Sequence, residues 1–443
     1  MTSKGKIYIQ TFGCQMNIHD SARILELMEL EGYERAAGPA NADLVIVNTC
    51  SVRGKAYQKV RSAVGALKKY KSGRPSLIIA VAGCVARQEG AKWLKMCPHV
   101  DIVMGPDALV RVDRLVRRVI NGEGPVVDVG FDDGRPDDFA SSAAGMEGVQ
   151  PSAFVTIMKG CNGECSFCIV PSVRGKERCR PLEDILEDVR KLAGSGTREA
   201  YLLGQTVNSW KHGDRSFADL LGMINDVEGI RRIRYTSPYP GYVTPGMAQA
   251  HGSLESLCEH IHLPVQSGSN RILSLMKRKY TREQYLDAIA MLKKHCPGIA
   301  VSTDMIVGFP GETREDFELT LSLVREVRFD TMFSFKYSPR PNTRACDFDD
   351  DVPPGKKQER LLTLHELADE MTASAWKEDL GREREVLVEK KGREQGQLMG
   401  RTRKNRIVNF THDGTMNIKP GDFAVVRIEE VLPHSLRGTA LSR

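Results

Sequence analysis

Short apolar runs, each ended by a polar or cysteine-bearing turn, recur along most of the chain. In the first 122 residues, three such runs end at Cys14, Cys50 and Cys84. A stretch with helical spacing follows each run: Ser21–Glu31, Lys55–Lys69 and Gln88–Met96. Strand, loop and helix repeated in this order predict a parallel, Rossmann-like sheet covered by helices. Because the loops that follow parallel strands leave at one edge of the sheet, we expect the three cysteines to converge.

The central part of the chain, residues 151–377, repeats the same alternation with six strand-like runs. They are Phe154–Met158, Glu199–Gln205, Arg232–Pro238, His260–Gln266, Ala300–Pro310 and Thr331–Pro339. Helices are predicted at Pro181–Ala193, Phe217–Asp226, Thr244–His251, Asn270–Met276, Arg282–His295 and Thr313–Val327. Six strand–helix units predict a partial (βα)6 barrel with its chemistry at the carboxyl ends of the strands.

Two further segments complete the predicted α/β organisation. Residues 123–150 are rich in Gly, Asp, Ser and Ala, which predicts a linker with at most one short strand. Residues 380–443 contain short β-rich runs separated by Gly and Asp-Gly turns, which predicts a small all-β barrel of the oligonucleotide-binding type. The expected domains are therefore 1–122, the linker, 151–377 and 380–443.

Composition is that of a soluble globular protein, with 41% hydrophobic and 27% charged residues. No charged-then-apolar leader opens the sequence, and no apolar run approaches the roughly 20 residues that span a bilayer. We therefore expect a cytoplasmic protein without a membrane partner. In a reducing compartment disulfides are disfavoured, so metal binding is the economical use for several of the eleven cysteines.

Cys161, Cys165 and Cys168 follow the first strand of the central segment with C-x3-C-x2-C spacing. A four-iron cluster usually takes four cysteines, but the next thiol, Cys179, lies eleven residues further on. The spacing favours a [4Fe–4S] cluster with one iron open to an outside ligand. A zinc knuckle and incidental thiols are the alternatives, although zinc sites typically show paired C-x2-C units.

A second cluster is predicted on the three strand-end cysteines of the first segment, Cys14, Cys50 and Cys84. A single cysteine in that position is usually a small buried hydrophobe. Three in the same structural position favour metal ligation. Cys97 follows a helix rather than a strand, and we interpret it as structural.

A basic run between two β-rich stretches of the last segment is formed by Arg401, Arg403, Lys404 and Arg406. The last 63 residues carry 13 Lys and Arg against 8 Asp and Glu, which is most of the net charge of +6. A charge run is often only a solvated surface. On a small β-barrel with a local excess of charge it favours RNA, bound through the backbone because few aromatic residues accompany it.

The loop Gly160–Cys168, with Phe167 before its last cysteine, resembles the signature of the radical S-adenosylmethionine (SAM) superfamily. Over nearly its full length the chain resembles the radical SAM methylthiotransferases, which combine an auxiliary-cluster domain, a radical SAM barrel and a TRAM domain. Stretches similar to the members that act on isopentenyladenosine in tRNA are GCQMNIHDS (13–21), NTCSVRGKA (48–56), GCVARQEG (83–90), LLGQTVNSW (202–210), HLPVQSGS (262–269) and FKYSPRPNT (335–343).

This resemblance implies methylthiolation of C2 of N6-isopentenyladenosine at position 37 of tRNA. It implies two [4Fe–4S] clusters, and SAM both as methyl donor and as source of the 5′-deoxyadenosyl radical. Candidate SAM contacts are Phe167, Gln205, Gln266, Asp304 and Arg180. Each of these residues is otherwise an ordinary strand-end polar group or a packed aromatic, and His262 is interpreted as a satisfied core residue. Arg174 and Arg178 follow the cysteine loop and are candidates for the SAM carboxylate or for RNA phosphate.

The implied partners are the anticodon stem-loop of tRNA and an unidentified electron donor, and a monomer is expected. Relatives that act on threonylcarbamoyl-adenosine or on a ribosomal-protein aspartate share the cysteine plan and remain alternatives. A hypothesis from another class is an RNA-binding iron–sulfur sensor or carrier without turnover. It explains the cysteines and the basic tail, but not six polar strand ends around one mouth.

Overall fold

The computed structural model describes residues 4–51, 54–131, 150–414 and 416–443. By its internal contacts the chain divides into two compact units. The first contains the described residues of Met1–Glu147 together with Lys159–Gly163 and Cys168–Arg178. The second contains the described residues of Gly148–Met158 and then Glu164–Phe167 and Cys179–Arg443. Within the described residues, no helix is long and apolar enough to cross a membrane.

A parallel sheet forms the centre of the first unit. Its strands in the described residues are β1 Gly5–Thr11, β2 Tyr33–Arg35, β3 Leu44–Thr49, β4 Ile78–Gly83, β5 Ile102–Met104 and β6 Val126–Asp128, in the order β2-β1-β3-β4-β5-β6. Every residue of β3 and β4 is buried, as expected for strands covered on both faces. The helices are α1 Gln15–Leu30, α2 Gly54–Ala66, α3 Lys68–Gly73, α4 Cys84–Glu89, α5 Lys92–Met96, α6 Val112–Ile120 and α7 Val170–Arg174.

The second unit contains a partial barrel of two three-stranded parallel sheets. Its strands are β7 Ser152–Thr156, β10 Glu199–Leu203, β13 Arg232–Tyr235, β14 His260–His262, β15 Ala300–Val307 and β16 Thr331–Lys336, ordered β13-β10-β7 and β14-β15-β16. Two short pairs accompany them: β8 Met158–Lys159 with β9 Arg178–Cys179, and β11 Lys211–His212 with β12 Arg215–Ser216. The helices are α8 Leu182–Gly194, α9 Phe217–Asn225, α10 Pro245–Ser253, α11 Asn270–Leu275, α12 Arg282–His295, α13 Arg314–Val327 and α14 Pro354–Lys377.

A closed five-stranded barrel ends the chain. Its strands are β17 Glu383–Lys391, β18 Leu398–Thr402, β19 Ile407–Thr411, β20 Phe423–Leu432 and β21 Ser435–Ser442, in the order β17-β18-β19-β21-β20. Its core includes Phe410 and Ile428 and extends to Trp376 of α14. The predicted fold class, a parallel sheet, a partial six-stranded barrel and a small β-barrel, is confirmed.

The small barrel contacts the partial barrel at the amino-terminal ends of its strands. Arg232 and Arg234 on β13 are buried, and their guanidinium groups donate to the carbonyls of Arg401, Thr402 and Arg403. Each guanidinium group also forms an ion pair. Arg232 Nη2 lies 3.0 Å from Glu385 Oε1, and Arg234 Nε lies 2.7 Å from Glu199 Oε2. This contact is therefore opposite to the carboxyl ends of the strands, where chemistry is expected in such a barrel.

The predicted elements differ from the structure mainly at their ends. Helix α1 begins at Gln15 rather than at Ser21, and the predicted helix Gln88–Met96 is two short helices, α4 and α5. The long helix α14 was not predicted. Most of the predicted linker, residues 132–149, lies outside the described residues, and β6 is the short strand before it.

Candidate functional site

The fold brings Cys14, Cys50 and Cys84 to one edge of the sheet of the first unit. Cys14 is the N-cap of α1, Cys50 directly follows β3, and Cys84 is the first residue of α4 after β4. Because the three parallel strands are neighbours, their carboxyl ends deliver all three thiols to the same place. Two of the thiols lie at the start of a helix, where the backbone dipole favours a negative charge.

The side chains of Cys14 and Cys50 interact with each other. The Cys50 thiol, the Arg174 guanidinium and the backbone N–H of Asn17 together lower the pKa of Cys14 to about 6, against the opposing effect of burial. Burial raises the pKa of Cys84, although Arg174 opposes this rise. Thiolates are the form that binds metal, so the lowered pKa of Cys14 favours its role as a ligand.

Arg174 is the positive group beside these thiols. Its side chain is only 5% exposed, and its Nη2 donates to Asp20 Oδ2 at 2.7 Å. The same guanidinium interacts with the Cys14 and Cys84 thiols. The prediction that Arg174 contacts RNA or the SAM carboxylate is therefore not supported, because a guanidinium buried against a carboxylate and two thiols presents no surface to phosphate. Arg178, the other candidate, donates to Asp107 Oδ1 at 2.9 Å.

A buried amide network supports the cysteine edge. Asn17 donates through Nδ2 to Asn48 Oδ1 and to the Thr49 carbonyl, and Asn48 donates back to the Asn17 carbonyl and to Ser21 Oγ. Both asparagines are fully buried, and buried polar groups joined in this way hold a single geometry. Neither asparagine was predicted as a functional residue. The available signal was a polar residue, Asn48, near the carboxyl end of a largely apolar strand.

The backbone packs closely beside the thiols at two glycines, where a side chain would not fit. At Gly13, a Cβ atom would lie 2.5 Å from Cys50 Cβ, and at Gly83, where φ is +88°, it would lie 2.5 Å from Asn48 Oδ1 and the Thr49 carbonyl oxygen. The described residues contain no group of three Cys, His, Asp or Glu that could hold a single metal ion. A four-iron cluster is held differently, since each cysteine binds a separate iron. Three thiols that converge at one sheet edge fit such a cluster.

The three cysteines of the predicted C-x3-C-x2-C trio do not all belong to one unit. Cys161 and Cys168 belong to the first unit. There the Cys161 N–H donates to the Gly175 carbonyl, and Cys161 Sγ accepts from the Gly163 N–H at 3.2 Å. Cys165 belongs to the second unit, where its Sγ accepts from Arg278 Nη1 at 3.3 Å. The sulfur atoms of Cys161 and Cys165 each accept a hydrogen bond, as thiolate ligands of a cluster do.

The predicted SAM contacts lie in the second unit, in different settings. Phe167 packs on an apolar cluster that includes Met276 and Phe309. Gln205 follows β10. Gln266 has a positive φ of 75°, which is uncommon for a residue with a side chain and is found at functional sites, and its N–H donates to the Asp304 carbonyl.

Asp304 lies in the middle of β15 rather than at its end, and its side chain is 31% exposed. His262 Nε2 is 3.6 Å from Asp304 Oδ2, while His262 Nδ1 is 3.0 Å from Ser302 Oγ. His262 is thus hydrogen-bonded, as expected for a core residue, but it also faces Asp304 on the neighbouring strand. Arg180 is 5% exposed and paired with Asp188 at 2.7 Å, so its predicted contact with SAM is not supported.

The basic run of the small barrel is engaged within the second unit. Arg403 pairs with Glu259 at 2.8 Å and donates to the carbonyls of Glu255 and Leu257. Arg406, 2% exposed, is held by Asp330 and by Asp379. The predicted RNA contacts at Arg403 and Arg406 are therefore not supported, because both guanidinium groups are committed to partners inside the protein. Arg401 pairs with Glu389 at 2.9 Å, and Lys404 is half-buried.

Three family models match successive parts of the chain. They are the uncharacterized protein family UPF0004 over residues 6–105, the radical SAM superfamily over residues 155–324 and the TRAM domain over residues 377–441. Among solved structures, the chain is similar to the radical SAM methyltransferase TsrM from Kitasatospora setae, with cobalamin and a [4Fe–4S] cluster bound. The TM-score is 0.56 at 13% identity, over 78% of this chain and 77% of that one. The cobalamin-dependent radical enzyme OxsB matches with a TM-score of 0.52 at 12% identity, over 83% and 56% of the two chains. The fold is that of radical SAM enzymes.

Curated relatives match over almost the whole length. The tRNA-2-methylthio-N(6)-dimethylallyladenosine synthase of Stutzerimonas stutzeri is 43% identical over 99% of both chains. Proteins of the same name from Desulfosudis oleivorans and Sorangium cellulosum are each 42% identical, over 98% and 97% of this chain and 97% and 92% of theirs. The chain belongs to the tRNA-2-methylthio-N(6)-dimethylallyladenosine synthase family of radical SAM methylthiotransferases.

Proposed function

We propose that this protein adds a methylthio group to C2 of N6-isopentenyladenosine at position 37 of tRNA. The observation that carries the proposal is the meeting of Cys14, Cys50 and Cys84 at one sheet edge, in a chain that also has the C-x3-C-x2-C loop. An iron–sulfur sensor or carrier would also explain the cysteines, but not the six polar strand ends of the partial barrel. The curated relatives that match over almost the whole length of both chains are named for this activity.

The target C–H bond of adenine is unactivated, so side chains alone do not break it. When bound, two [4Fe–4S] clusters and SAM supply the radical that removes this hydrogen and the methylated sulfur that replaces it. Cys161, Cys165 and Cys168 would hold one cluster, and the strand-end trio the other. Arg174 places a permanent positive charge beside the strand-end thiols and so favours their ionised form.

Phe167, Gln205, Gln266 and Asp304 remain the proposed SAM contacts. Gln266 follows β14 and is joined to β15 through its backbone, because its N–H donates to the Asp304 carbonyl, so both residues belong to one wall of the partial barrel. Their polar groups can hold the amino-acid part of SAM, while an aromatic such as Phe167 suits its adenine.

The RNA contact is proposed for exposed cations of the small barrel. Lys390, Lys391 and Arg393, at the turn between β17 and β18, are exposed, and Arg401 and Lys404 remain further candidates. Phosphates of the anticodon stem-loop would meet these cations while adenosine 37 is turned out of its stack toward the reactive centre. We propose a cytoplasmic location, because tRNA is the substrate. We also propose that the protein acts as a monomer and receives electrons from a separate donor protein.

Mass analysis of tRNA nucleosides tests the function. Reconstituted protein with SAM, reductant and isopentenylated tRNA should yield the 2-methylthio nucleoside. Cys84→Ala should abolish this product while SAM is still cleaved to deoxyadenosine. Cys97→Ala is the matched control, because Cys97 is a buried cysteine of the same unit that follows a helix, and it should retain activity. Product formed only on threonylcarbamoyl-adenosine, or no deoxyadenosine at all, would contradict the proposal.

Binding measurements test the RNA surface. Replacing Lys390, Lys391 and Arg393 by Ala should weaken tRNA binding and reduce the slope of log affinity against log salt by about 2 to 3, roughly one for each phosphate contact. SAM cleavage without tRNA should be unchanged. An unchanged salt slope would place the RNA elsewhere.

A further inference from the structure

Arg278 lies directly against one of the predicted cluster ligands. Its Nη1 donates to Cys165 Sγ at 3.3 Å, its Nη2 donates to the Pro264 carbonyl at 2.9 Å, and its Nε donates to Tyr280 Oη at 2.9 Å. The guanidinium carbon is 4.6 Å from the ring centre of Tyr239 and 5.0 Å from that of Tyr280. Three hydrogen bonds and two aromatic faces therefore fix this cation in one position.

No carboxylate of the described residues forms an ion pair with Arg278. A guanidinium held in a partly buried place normally needs an anion, because removing an unpaired charge from water is unfavourable. Its remaining partners are a carbonyl, a phenol and two aromatic rings, so the anion that the site offers is the Cys165 sulfur. A thiolate bound to iron stays anionic at every pH at which the cluster exists, so it can serve as the permanent partner.

The chain around Arg278 also fixes the loop that carries Cys165. Ser166, the next residue, donates through its N–H to the Met276 carbonyl at 3.0 Å and through Oγ to the Leu275 carbonyl at 2.8 Å. After α11, Lys277 adopts a φ of +54°, and the Arg278 N–H donates back to the Leu273 carbonyl. A left-handed residue with a side chain is strained, and here it turns Arg278 toward the sulfur.

We propose that Arg278 is an electrostatic positioning residue that raises the reduction potential of the radical SAM cluster through Cys165. The step it assists is the addition of one electron to the oxidised cluster, with no bond broken and no proton moved. The added electron makes the cluster more negative, and a fixed cation that donates to a ligand sulfur stabilises that form. The inference rests on the proposed function only in assigning Cys165 to this cluster.

Redox titration of the reconstituted full-length protein tests the inference without tRNA. Potential is set with titanium(III) citrate and mediators, and the signal followed is the electron paramagnetic resonance of the reduced cluster that changes when SAM is added. Arg278→Met should shift the midpoint potential to more negative values. Arg278→Lys, which keeps the charge, should stay near wild type, and Arg278→Gln, which keeps donors but no charge, should fall between.

Lys279→Met is the matched control. It removes a cation one residue along the chain, but the Lys279 side chain is 69% exposed and pairs with Glu164 at 3.4 Å, so solvent screens it. Its midpoint should match wild type. SAM cleavage by Arg278→Met should fall most with a weak one-electron donor and recover with titanium(III) citrate, while the affinity for SAM is unchanged.

Two results would overturn the inference. One is an unchanged midpoint potential in Arg278→Met protein that has a full complement of iron. The other applies if Arg278→Met loses iron. In that case, equal midpoint potentials for Arg278→Lys and Arg278→Gln would exclude a role for the charge. Because no tRNA is present, a failure of tRNA modification would leave these measurements intact, so the two proposals fail separately.

Discussion

Replacing Arg406 by Met should destabilise the protein by several kcal/mol without removing a contact to RNA. The Arg406 guanidinium is 2% exposed, with Nη1 2.6 Å from Asp379 Oδ2 and Nη2 bonded to Asp330. The Trp376 indole also donates to Asp330, at 3.2 Å. Without Arg406, two carboxylates remain buried beside each other, and breaking a buried ion pair in this way costs about 3–5 kcal/mol.

Urea unfolding of the full-length protein measures this loss. With a slope of about 3 kcal/mol per molar urea, the expected loss lowers the midpoint of the transition by roughly 1 M. The control is Arg427→Met on the same small barrel. Arg427 pairs with Glu383 at 3.3 Å, but both side chains are more than half exposed, so the change should cost about 1 kcal/mol or less.

A double variant separates the buried charge from the lost volume. Asp330→Asn combined with Arg406→Met should recover part of the stability, because the unpaired charge of Asp330 is then gone, whereas Asp379 keeps its ion pair with Arg384 at 2.6 Å. The reasoning is refuted if Arg406→Met unfolds at the wild-type urea concentration. It is also refuted if that variant reduces the salt dependence of tRNA binding by about one phosphate contact.

Two further results are expected. Burial lowers the pKa of His251 from 6.5 to about 4, so the unfolded chain binds more protons between these values, and the free energy of unfolding should fall by about 2 kcal/mol from pH 7 to pH 5. In urea unfolding His251→Gln should lose this dependence, and an unchanged slope would contradict it. Gly83→Ala should lower the iron content of the protein, because the added methyl group crowds Asn48. The control, Gly65→Ala on an open helix surface, should leave the iron content unchanged and stabilise the protein slightly. Equal iron loss in both variants would show that the crowding is unimportant.

The sequence predicted elements well where the local signal is strong. Helix α12 was predicted with its observed bounds, because Thr281 and Gln284 form a capping box just before a regular apolar stripe. The convergence of Cys14, Cys50 and Cys84 followed from their common place directly after parallel strands. These features depend on residues close together in the chain or on a general rule of parallel sheets.

What the sequence left undetermined depends on distant partners. Arg406 belongs to a basic run, and the sequence of such a run is the same whether its side chains are solvated or buried. Its partner Asp330 is 76 residues away. Arg278 is one arginine among many in the sequence, and the sulfur that it contacts is 113 residues away. Such pairings follow from packing between elements, which hydrophobic periodicity does not encode.

The central claim is that two separate trios of cysteines each hold a cluster. It is tested most directly by iron and sulfide analysis of the variant in which Cys161, Cys165 and Cys168 are all replaced by Ala. That variant should keep one [4Fe–4S] cluster, held by Cys14, Cys50 and Cys84, with about four irons per chain. Protein that folds like the wild type and yet retains no iron would contradict the account.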